Sequence, residues 1–532
     1  MIDSTAEYKA AITADARRIL LKAIIDISDP DMVYGAITSS GEAPFSRADQ
    51  LTDKEFSPNQ NYVTLEKNRW LLNGKYKIVP ESNIIPGQVG FVGDSLSGAG
   101  GEFDPPVWVE ISFSNVDILQ AFSVYFPSNA IDGYARDFTI EVKSGGTAYF
   151  TQTITDNTAD HIAFDGFTVN NPDTVRITVS KWSLPSRRMR IPEIVLGVYE
   201  EWNNDIIAAF NVVQQGNISC TSLPYGTCTL RMDNQSRRFE PRNKNGIFKS
   251  IEERQGIDIR VGVRLPSGEN EFKRLGIYYQ YSGGWKTGDN GLTMTWNLVD
   301  IIGLLSGREF IPPAVLPTTL KGWLSALVSQ LGTNFASSYK VDPDYADLSI
   351  TANSVEDVSG KSCGDILRYA CMASGTWPRA DASTGYLAAS PLWIAGNTLD
   401  LDNMSDYPVV KANEDIGAII FKLYNDANTQ YVVSGTSVAS ANTVNIDNPF
   451  IHTTTQANNA AQLILAAYGG NQMEITGRGD PASEIGDVDT VWLDEDNSTT
   501  GRRIYQSFTI RSGILRDCKS TLLQSGSEVA GA

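Results

Sequence analysis

Residues 474–495, EITGRGDPASEIGDVDTVWLDE, contain the tripeptide Arg478-Gly479-Asp480, which Pro481 follows directly. An adhesion ligand would present such a tripeptide on a flexible, exposed loop tip. The alternative is a tight turn between two strands, in which glycine permits the bend, aspartate caps the backbone two residues on, and proline fixes the exit. We interpret the stretch as a structural turn with the following members: Arg478, Gly479, Asp480, Pro481, Gly486 and Asp487.

Catalytic chemistry is restricted because the chain has only two histidines, His161 and His452. Neither has the sequence spacing of a nucleophilic triad, and no HExxH or histidine–cysteine zinc pattern occurs. The 62 Asp and Glu residues form so many pairs that no single pair indicates a glycosidase. The Gly-rich stretch 93–106 ends in two prolines rather than a helix, unlike a phosphate-binding loop. We therefore expect no enzymatic activity, no cofactor and no metal site.

The cysteines number five, an odd count, and include no CxxC pair. This usage favours buried, reduced thiols over a disulfide framework or a zinc site. The apolar run near the N-terminus is interrupted by Lys22 and Asp26, so it predicts neither a secretory signal nor a membrane-spanning helix. We expect the chain to be made in a reducing cytoplasm.

The size and composition predict a large protein built mainly of strands. A chain of 532 residues is too long for one core, so three or four structural units are expected. Many short Val, Ile, Thr and aromatic runs alternate with turn residues, among 45 Gly and 23 Pro. The formal net charge of -19 argues against nonspecific binding to nucleic acid, because no basic excess can replace the phosphate counterions.

The order of predicted elements divides the chain. A short helix over 4–18 precedes a strand over 19–28, and a block of alternating strands covers 50–201. In this block, FTIEVK and VRITVSKW place apolar residues on one face only, as a two-sheet sandwich requires. Long strands follow after residue 201, and helical spacing with capping residues then predicts three helices, at 318–335, 360–374 and 455–470.

The block 50–201 resembles the discoidin-type, galactose-binding-like sandwich over DGYARDFTIEVKSGG and VRITVSKWSLPSRRMRIPEIVLG. Members of that family commonly bind sugars or membrane surfaces through loops, and many only pack. We assign Trp182 and Ile191 to the sandwich core. For the arginines 187, 188 and 190 we favour packing of their apolar stems over a role in binding.

The succession NIDNPFIHTTTQANNAAQLILAAYGGNQMEITGRGDPASEIGDVDTVW resembles the second barrel of central tail-hub proteins of tailed bacteriophages, the late-control-D group. In that family a strand ending in Asn-Pro leads to an Ala-rich helix, a strand, an RGDP turn and a further strand. The stretch SCGDILRYACMASGTWPRADASTGYLAASP fits the helix and hairpin that precede it. Hubs of Firmicute phages look similar over 65–76, WSLPSRRMRIPEIVLG and 233–248.

This resemblance implies a mainly β fold with some α: two hub-type β-barrels, an intervening helix-containing region and an inserted β-sandwich. The implied domains are 1–49, the helix and strand of the first barrel; 50–201, the inserted sandwich; 202–307, the rest of the first barrel; 308–412, the helix-containing connecting domain; and 413–532, the second barrel and C-terminal tail. On this division, strand 19–28 pairs with strands from 205–300.

The family further implies a virion protein at the distal end of the tail, a homotrimer that adapts six-fold tube rings to a three-fold tip. Its expected partners are tail-tube or distal-tail rings, the tape-measure protein, and a spike or fibre protein. DNA would pass through the bore without specific binding. One alternative is a receptor- or glycan-binding tail protein in which the sandwich contacts a cell-surface glycan. Another is a wall-degrading tail enzyme, which would need a catalytic module.

Overall fold

A computed structural model of the chain describes residues 2–27, 32–53, 63–67, 69–70, 89–127, 130–164, 167–237, 239–240, 243, 255–332, 335–413, 416–425, 429–435, 442–468, 470–511, 514–515 and 517–524. These residues form two compact units. One comprises 1–25 and 201–532, and the other comprises 26–200. Of the stretches that resemble tail hubs, parts of 65–76 and 233–248 lie outside the described residues.

The helices of the described residues are α1 (Ala6–Thr13), α2 (Ile301–Ser306), α3 (Leu320–Ser329), α4 (Pro343–Ala346), α5 (Cys363–Ser374) and α6 (Thr454–Tyr468). The strands up to residue 203 are β1 (Ile19–Ile27), β2 (Val33–Ser39), β3 (Phe91–Leu96), β4 (Glu102–Ser114), β5 (Ile118–Leu119), β6 (Phe122–Tyr125), β7 (Ala135–Ser144), β8 (Thr147–Ile154), β9 (His161–Phe164), β10 (Val169–Asn170), β11 (Thr174–Trp182), β12 (Arg188–Ile191), β13 (Glu193–Leu196) and β14 (Val198–Asn203). Those that follow are β15 (Ile207–Gln215), β16 (Thr227–Asp233), β17 (Gly256–Arg264), β18 (Asn270–Gly288), β19 (Thr293–Val299), β20 (Tyr339–Val341), β21 (Trp377–Ala380), β22 (Leu387–Ser390), β23 (Thr398–Leu399), β24 (Val409–Lys411), β25 (Ile416–Lys422), β26 (Gln430–Ser434), β27 (Asn442–Asp447), β28 (Gln472–Gly477), β29 (Val488–Trp492), β30 (Ser498–Arg511), β31 (Ile514–Leu515) and β32 (Cys518–Gln524). The prediction of a mainly β protein with some α is confirmed.

The unit 26–200 is a β-sandwich. Its larger sheet has the strand order β2-β4-β11-β7-β8, and a second layer contains β13-β6-β9. The alternating strands β4, β7 and β11 turn their apolar residues toward β6 and β13, and together these form one buried core. The one-sided alternation read from the sequence is therefore the reason for the two-layer packing.

The sandwich begins earlier in the chain than the sequence-based boundary of residue 50. Strand β2, at 33–39, pairs with β4, and the compact unit starts at residue 26. Strand β2 gave no clear signal because its residues are exposed or half-buried rather than regularly alternating. Its long-range partner decides where it belongs.

The other unit is built on one extended sheet. Strand β1 pairs antiparallel with β17, as the sequence predicts for the strand at 19–28. Among the described residues the sheet contains 14 strands, whose main path runs β14-β1-β17-β18-β19-β16-β15-β30-β32-β28-β24. Strand β15 pairs with β16 on one side and with β30 on the other. This pairing joins the strand group that starts at β1 to the group that ends the chain.

The helices α3, α5 and α6 share a buried core with the small sheet β26-β25-β27. Helix α5 begins at a capping box formed by Ser362 and Asp365 and ends at Gly375, which has a left-handed backbone conformation. The helical region therefore packs together up to residue 468, beyond the sequence-based boundary at residue 412. Leu367 and Ile464, both fully buried, lie on either side of that boundary.

The cysteines are buried and reduced, as the sequence predicts. All five cysteines are free and buried, so no disulfide cross-links the chain. Burial raises the pKa of the Cys371 thiol to about 12, which keeps it protonated and unreactive at neutral pH. Within the described residues, no helix has the length and apolar character needed to cross a membrane.

Candidate functional site

The turn after β28 contains the tripeptide Arg478-Gly479-Asp480. Gly479 has a φ of +71°, and a Cβ atom built there would lie 2.6 Å from the Sγ atom of Cys518. Asp480 caps the turn, because its Oδ1 atom accepts a hydrogen bond of 2.9 Å from the backbone N–H of Ala482. Glycine is thus required at 479 both by the backbone conformation and by the space available.

The N-terminal helix α1 packs over this turn. The guanidinium of Arg17 donates hydrogen bonds to the backbone carbonyls of Gly479, at 3.2 Å, and Arg478, at 2.5 Å. In return, Arg478 donates to the carbonyls of Thr13, at 3.0 Å, and Ala14. Two guanidinium groups therefore join the end of α1 to the turn by charge-assisted hydrogen bonds.

A third contact joins the same two segments. The hydroxyl of Tyr8, on the buried face of α1, donates to Oδ1 of Asp480 at 3.2 Å. Burial raises the pKa of the Asp480 carboxyl, because the charged form loses solvation there. The Arg-Gly-Asp tripeptide is therefore a half-buried, clamped turn, which is not the conformation of a flexible adhesion loop.

The second part of the stretch forms another fixed turn. Gly486 has a φ of +101°, and a Cβ atom at this position would lie 2.4 Å from the ring of Trp393. The fully buried Asp487 accepts hydrogen bonds from Trp393 Nε1, at 3.0 Å, and from the backbone N–H of Glu484, at 2.8 Å. Gly486 and Asp487 thus position the start of β29.

A buried ion pair lies next to these turns and was missed from the sequence. Arg503 on β30 donates to Oδ2 of Asp489 on β29 at 2.5 Å, and both side chains are buried. Asp489 also accepts from the backbone N–H of Asn397 at 2.8 Å. Asp487 and Asp489 are both fully buried, although they lie in a segment rich in acidic residues. The sequence did contain a signal for this arrangement, because residues at i and i+2 along a strand lie on the same face of the sheet.

Trp182 and Ile191 are both fully buried in the sandwich. The indole Nε1 of Trp182 donates to the backbone carbonyl of Asp132 at 2.7 Å, and its ring meets Phe126 edge to face at 6.0 Å. Trp182 therefore has no face available for stacking on a sugar.

The arginines of the sandwich do more than pack their stems. Arg190 donates to both oxygens of Glu66, at 2.8 Å for the Oε1 contact, and Arg69 pairs with Asp132. Burial by itself raises the pKa of Glu66, but the hydrogen bonds and charge of Arg190 outweigh it and lower the pKa to about 2. These four side chains are almost completely buried, so the pairs hold the segment around residue 66 in the sandwich by charge as well as by packing.

The two histidines each contact neighbouring groups of the described residues. The ring of His161 stacks on Tyr125 at 4.2 Å. The two ring nitrogens of His452 each lie 2.7 Å from a backbone carbonyl oxygen, those of Tyr424 and Thr351. Among the described residues, no group of three or more His, Cys, Asp or Glu side chains is arranged to hold a metal ion.

No protein-family model matches the chain, and no curated protein does so. Several solved structures are similar to it. A tail protein from Neisseria meningitidis MC58 is 12% identical, with a TM-score of 0.42, and the match covers 62% of this chain and 94% of that one. The 43 kDa tail protein of prophage MuSo2 from Shewanella oneidensis is 14% identical, with a TM-score of 0.40 and coverage of 61% and 95%.

A further similar structure is chitosan-binding module 2, in complex with chitotriose, derived from a chitosanase/glucanase of Paenibacillus sp. IK-5. It is 14% identical, with a TM-score of 0.19, and the match covers 31% of this chain and 95% of that one. All three TM-scores lie below 0.5, so these similarities leave the family of the chain open. The neighbours thus comprise tail proteins and a sugar-binding module, at identities of 12% to 14%.

Proposed function

We propose that this chain is the structural hub of a phage or phage-like tail, which as a homotrimer closes the distal end of the tail tube. In this role it adapts the six-fold tube rings to a three-fold tip and forms part of the DNA conduit. The partners are the tube or distal-tail rings, the tape-measure protein and a spike or fibre protein. The unit 26–200 is a discoidin-like module carried on the hub.

One observation carries the proposal: the succession of elements from β27 to β29. Strand β27 ends just before Asn448-Pro449, the Ala-rich helix α6 follows, and β28 then leads into the clamped Arg-Gly-Asp-Pro turn before β29. Asn448 is buried, and its side chain accepts from the backbone N–H of Phe450 at 3.0 Å and donates to the carbonyl of Tyr369 at 3.0 Å. In this succession, the segments from β27 to β29 that resemble the hub family are structural elements with partners of their own.

The extended sheet supports the symmetry that the proposal requires. A chain that presents two strand groups side by side can give six such groups when three copies form a ring. Strand β15 links the two groups through β30, with seven residue pairs in register from Ala209 to Gln215. This continuous pairing would hold the two groups of one chain at a fixed spacing.

Native mass spectrometry of the purified full-length chain tests the proposal. The expected mass is about 174 kDa, three times the 58.0 kDa of one chain. Addition of the neighbouring tail-tube protein should give a complex that contains three hub chains. Electron microscopy of the same sample should show the hub as a ring at one end of the tube.

A chain that stays monomeric at micromolar concentration, both alone and with the tube protein, would contradict the hub role. Binding of a glycan by a monomeric chain would favour the receptor-binding alternative instead.

A further inference from the structure

A cavity of about 190 Å³ lies between helix α1 and the strands that surround the Arg-Gly-Asp turn. A water molecule occupies about 30 Å³ in the liquid, so the space could hold several waters or a small organic molecule. Its lining includes Ile475, Ser520 and Cys518, and α1 contributes Ile12 and Thr13. The whole lining belongs to the unit formed by 1–25 and 201–532.

The charges around this cavity are strongly unbalanced. Four cationic side chains line it, together with a single carboxylate: Lys9, Arg17, Arg478 and Arg503, with Asp480 as the acid. Asp489 lies outside the lining and pairs with Arg503. The remaining three cations face one carboxyl group whose pKa burial raises. This local excess of positive charge occurs in a chain whose formal net charge is -19.

A second observation points to a missing hydrogen-bond acceptor. Arg503 is 4% exposed, and its Nε atom is buried without a hydrogen-bond partner among the described residues. A buried N–H group left without an acceptor costs about 1–3 kcal/mol, so such groups are rare without a reason. Arg17 lies close to another cation. Its pKa is lowered mainly by burial, and the charge of Arg478 lowers it further.

We infer that this cavity binds a small dicarboxylate. Carboxylate groups suit guanidinium donors, because each oxygen accepts charge-assisted hydrogen bonds. One carboxylate would lie near Arg478 and Lys9 at the side of α1, and the other would accept a hydrogen bond from Nε of Arg503. The apolar middle of the molecule would face Ile12 and Ile475. The ligand would bridge α1 and the turn, so binding would tighten the clamp that Arg17 already forms.

Succinate is the probe for this site, and succinamide is its uncharged analogue of similar size. We expect succinate to raise the melting temperature of the full chain in a saturable way at low salt, because it binds the folded state only. Succinamide should have no such effect. Added salt should weaken the binding, because it screens the charges.

Lys9→Gln is the site variant, because Lys9 is exposed on α1 and its replacement leaves the clamp of Arg17 in place. The matched control is Lys321→Gln, an exposed lysine on α3 outside the cavity lining. We expect Lys9→Gln to raise the apparent Kd for succinate about threefold to tenfold, and the control to leave it unchanged.

Cys518 gives an independent readout because it lines the cavity, while the other four cysteines do not. Succinate should slow the modification of Cys518 by a small neutral thiol reagent more strongly than it slows modification of the other four cysteines, because it also covers Cys518 directly. Intact-mass and peptide mapping would measure this protection.

Three results with succinate and its uncharged analogue would overturn the inference, and one result with phosphate would do the same. The first three are an unsaturable response to succinate, an equal effect of succinamide, and an equal Kd for the wild type and Lys9→Gln. Inorganic phosphate is the remaining comparison, and binding as tight as that of succinate would refute a carboxylate site. None of these results bears on the trimer, so a failure here is distinct from a failure of the proposed hub function.

Discussion

Two separate constraints fix the identity of residue 479. Its φ of +71° is a conformation that side chains with a Cβ atom adopt only at a cost, and the space beside it is filled by Cys518. Gly360 provides a comparison, since its φ is +68° and no atom lies within 4 Å of a Cβ built there. A comparison of alanine substitutions at Gly360 and Gly479 therefore separates the free-energy cost of the backbone conformation from the cost of steric crowding.

We predict that Gly360→Ala lowers the free energy of unfolding by about 1 kcal/mol, the backbone cost alone. Gly479→Ala should lower it by about 2–4 kcal/mol, because overpacking against Cys518 adds to the same backbone cost. Urea unfolding of the two full-length variants measures both values. Equal losses would mean that the turn can shift to accept the methyl group.

Trp182 gives a second test with single residues. Trp182→Ala should destabilise the protein by about 3–5 kcal/mol, because it removes a fully buried indole and leaves a cavity. Tyr149→Ala is the control in the same sandwich, since Tyr149 is 68% exposed and its loss should cost within about 0.5 kcal/mol. Thermal unfolding of the full chain compares the two. A Trp182→Ala variant with the wild-type melting temperature would place the indole at the surface.

At the scale of elements, α1 depends on contacts with distant parts of the chain. It is only eight residues long, too short to be stable alone, and one side chain, that of Thr5, caps its start. Arg17 donates hydrogen bonds to carbonyls of three segments: Ile12 at the end of α1, the turn at 478–479, and Leu515. The helix and the turn should therefore stabilise each other.

We predict that Arg17→Gln increases amide hydrogen exchange by about tenfold or more in peptides that cover 6–13 and 476–483. Glutamine cannot replace the several charged hydrogen bonds, and their loss lowers the free energy of local opening. Arg18→Gln is the control, because Arg18 is the exposed neighbour. If both variants exchange alike, the clamp does not hold the turn.

At the scale of the whole molecule, several acidic residues from two distant segments lie near one another. The segments 400–408 and 487–496, which are far apart in sequence, meet around Tyr407. The pKa of Tyr407 is raised by burial and by the charges of Glu495, Asp494, Asp406 and Asp496. We expect this acidic cluster to line the bore of the proposed trimer, where like charge would keep DNA from adhering to the wall.

Charge reversal tests this expectation. The triple variant Asp494→Lys, Glu495→Lys, Asp496→Lys should bind DNA and retain it near the well in an electrophoretic mobility assay at moderate salt. The control is the triple variant Asp344→Lys, Asp347→Lys, Glu356→Lys, at three exposed positions. Each variant has a formal charge of -13 per chain (-19 plus 6). We expect no retention by the control. Equal retention by both trimers would mean that the acids serve solubility alone and are spread over the surface.

The sequence by itself determined the features that depend on neighbouring residues. Strand alternation in FTIEVK and VRITVSKW predicted the one-sided packing of β7 and β11. The spacing of apolar residues predicted α5 and α6 closely, and it predicted α3, although this helix ends at Ser329 rather than at residue 335. Turn chemistry identified residues 478–481 as a bend. These patterns are local, because the direction of a side chain repeats with the period of its helix or strand, and caps and turns depend on residues close together in the chain.

Only the tertiary structure decided which distant segments meet. The membership of β2 in the sandwich, the inward direction of Asp489, the pairing of Arg190 with Glu66 and the docking of α1 on the turn each join residues far apart in the chain. From the sequence alone, a charged residue is predicted to be exposed, because burial of an unpaired charge has a high free-energy cost. The fold lowers that cost when it places a partner of opposite charge beside the residue.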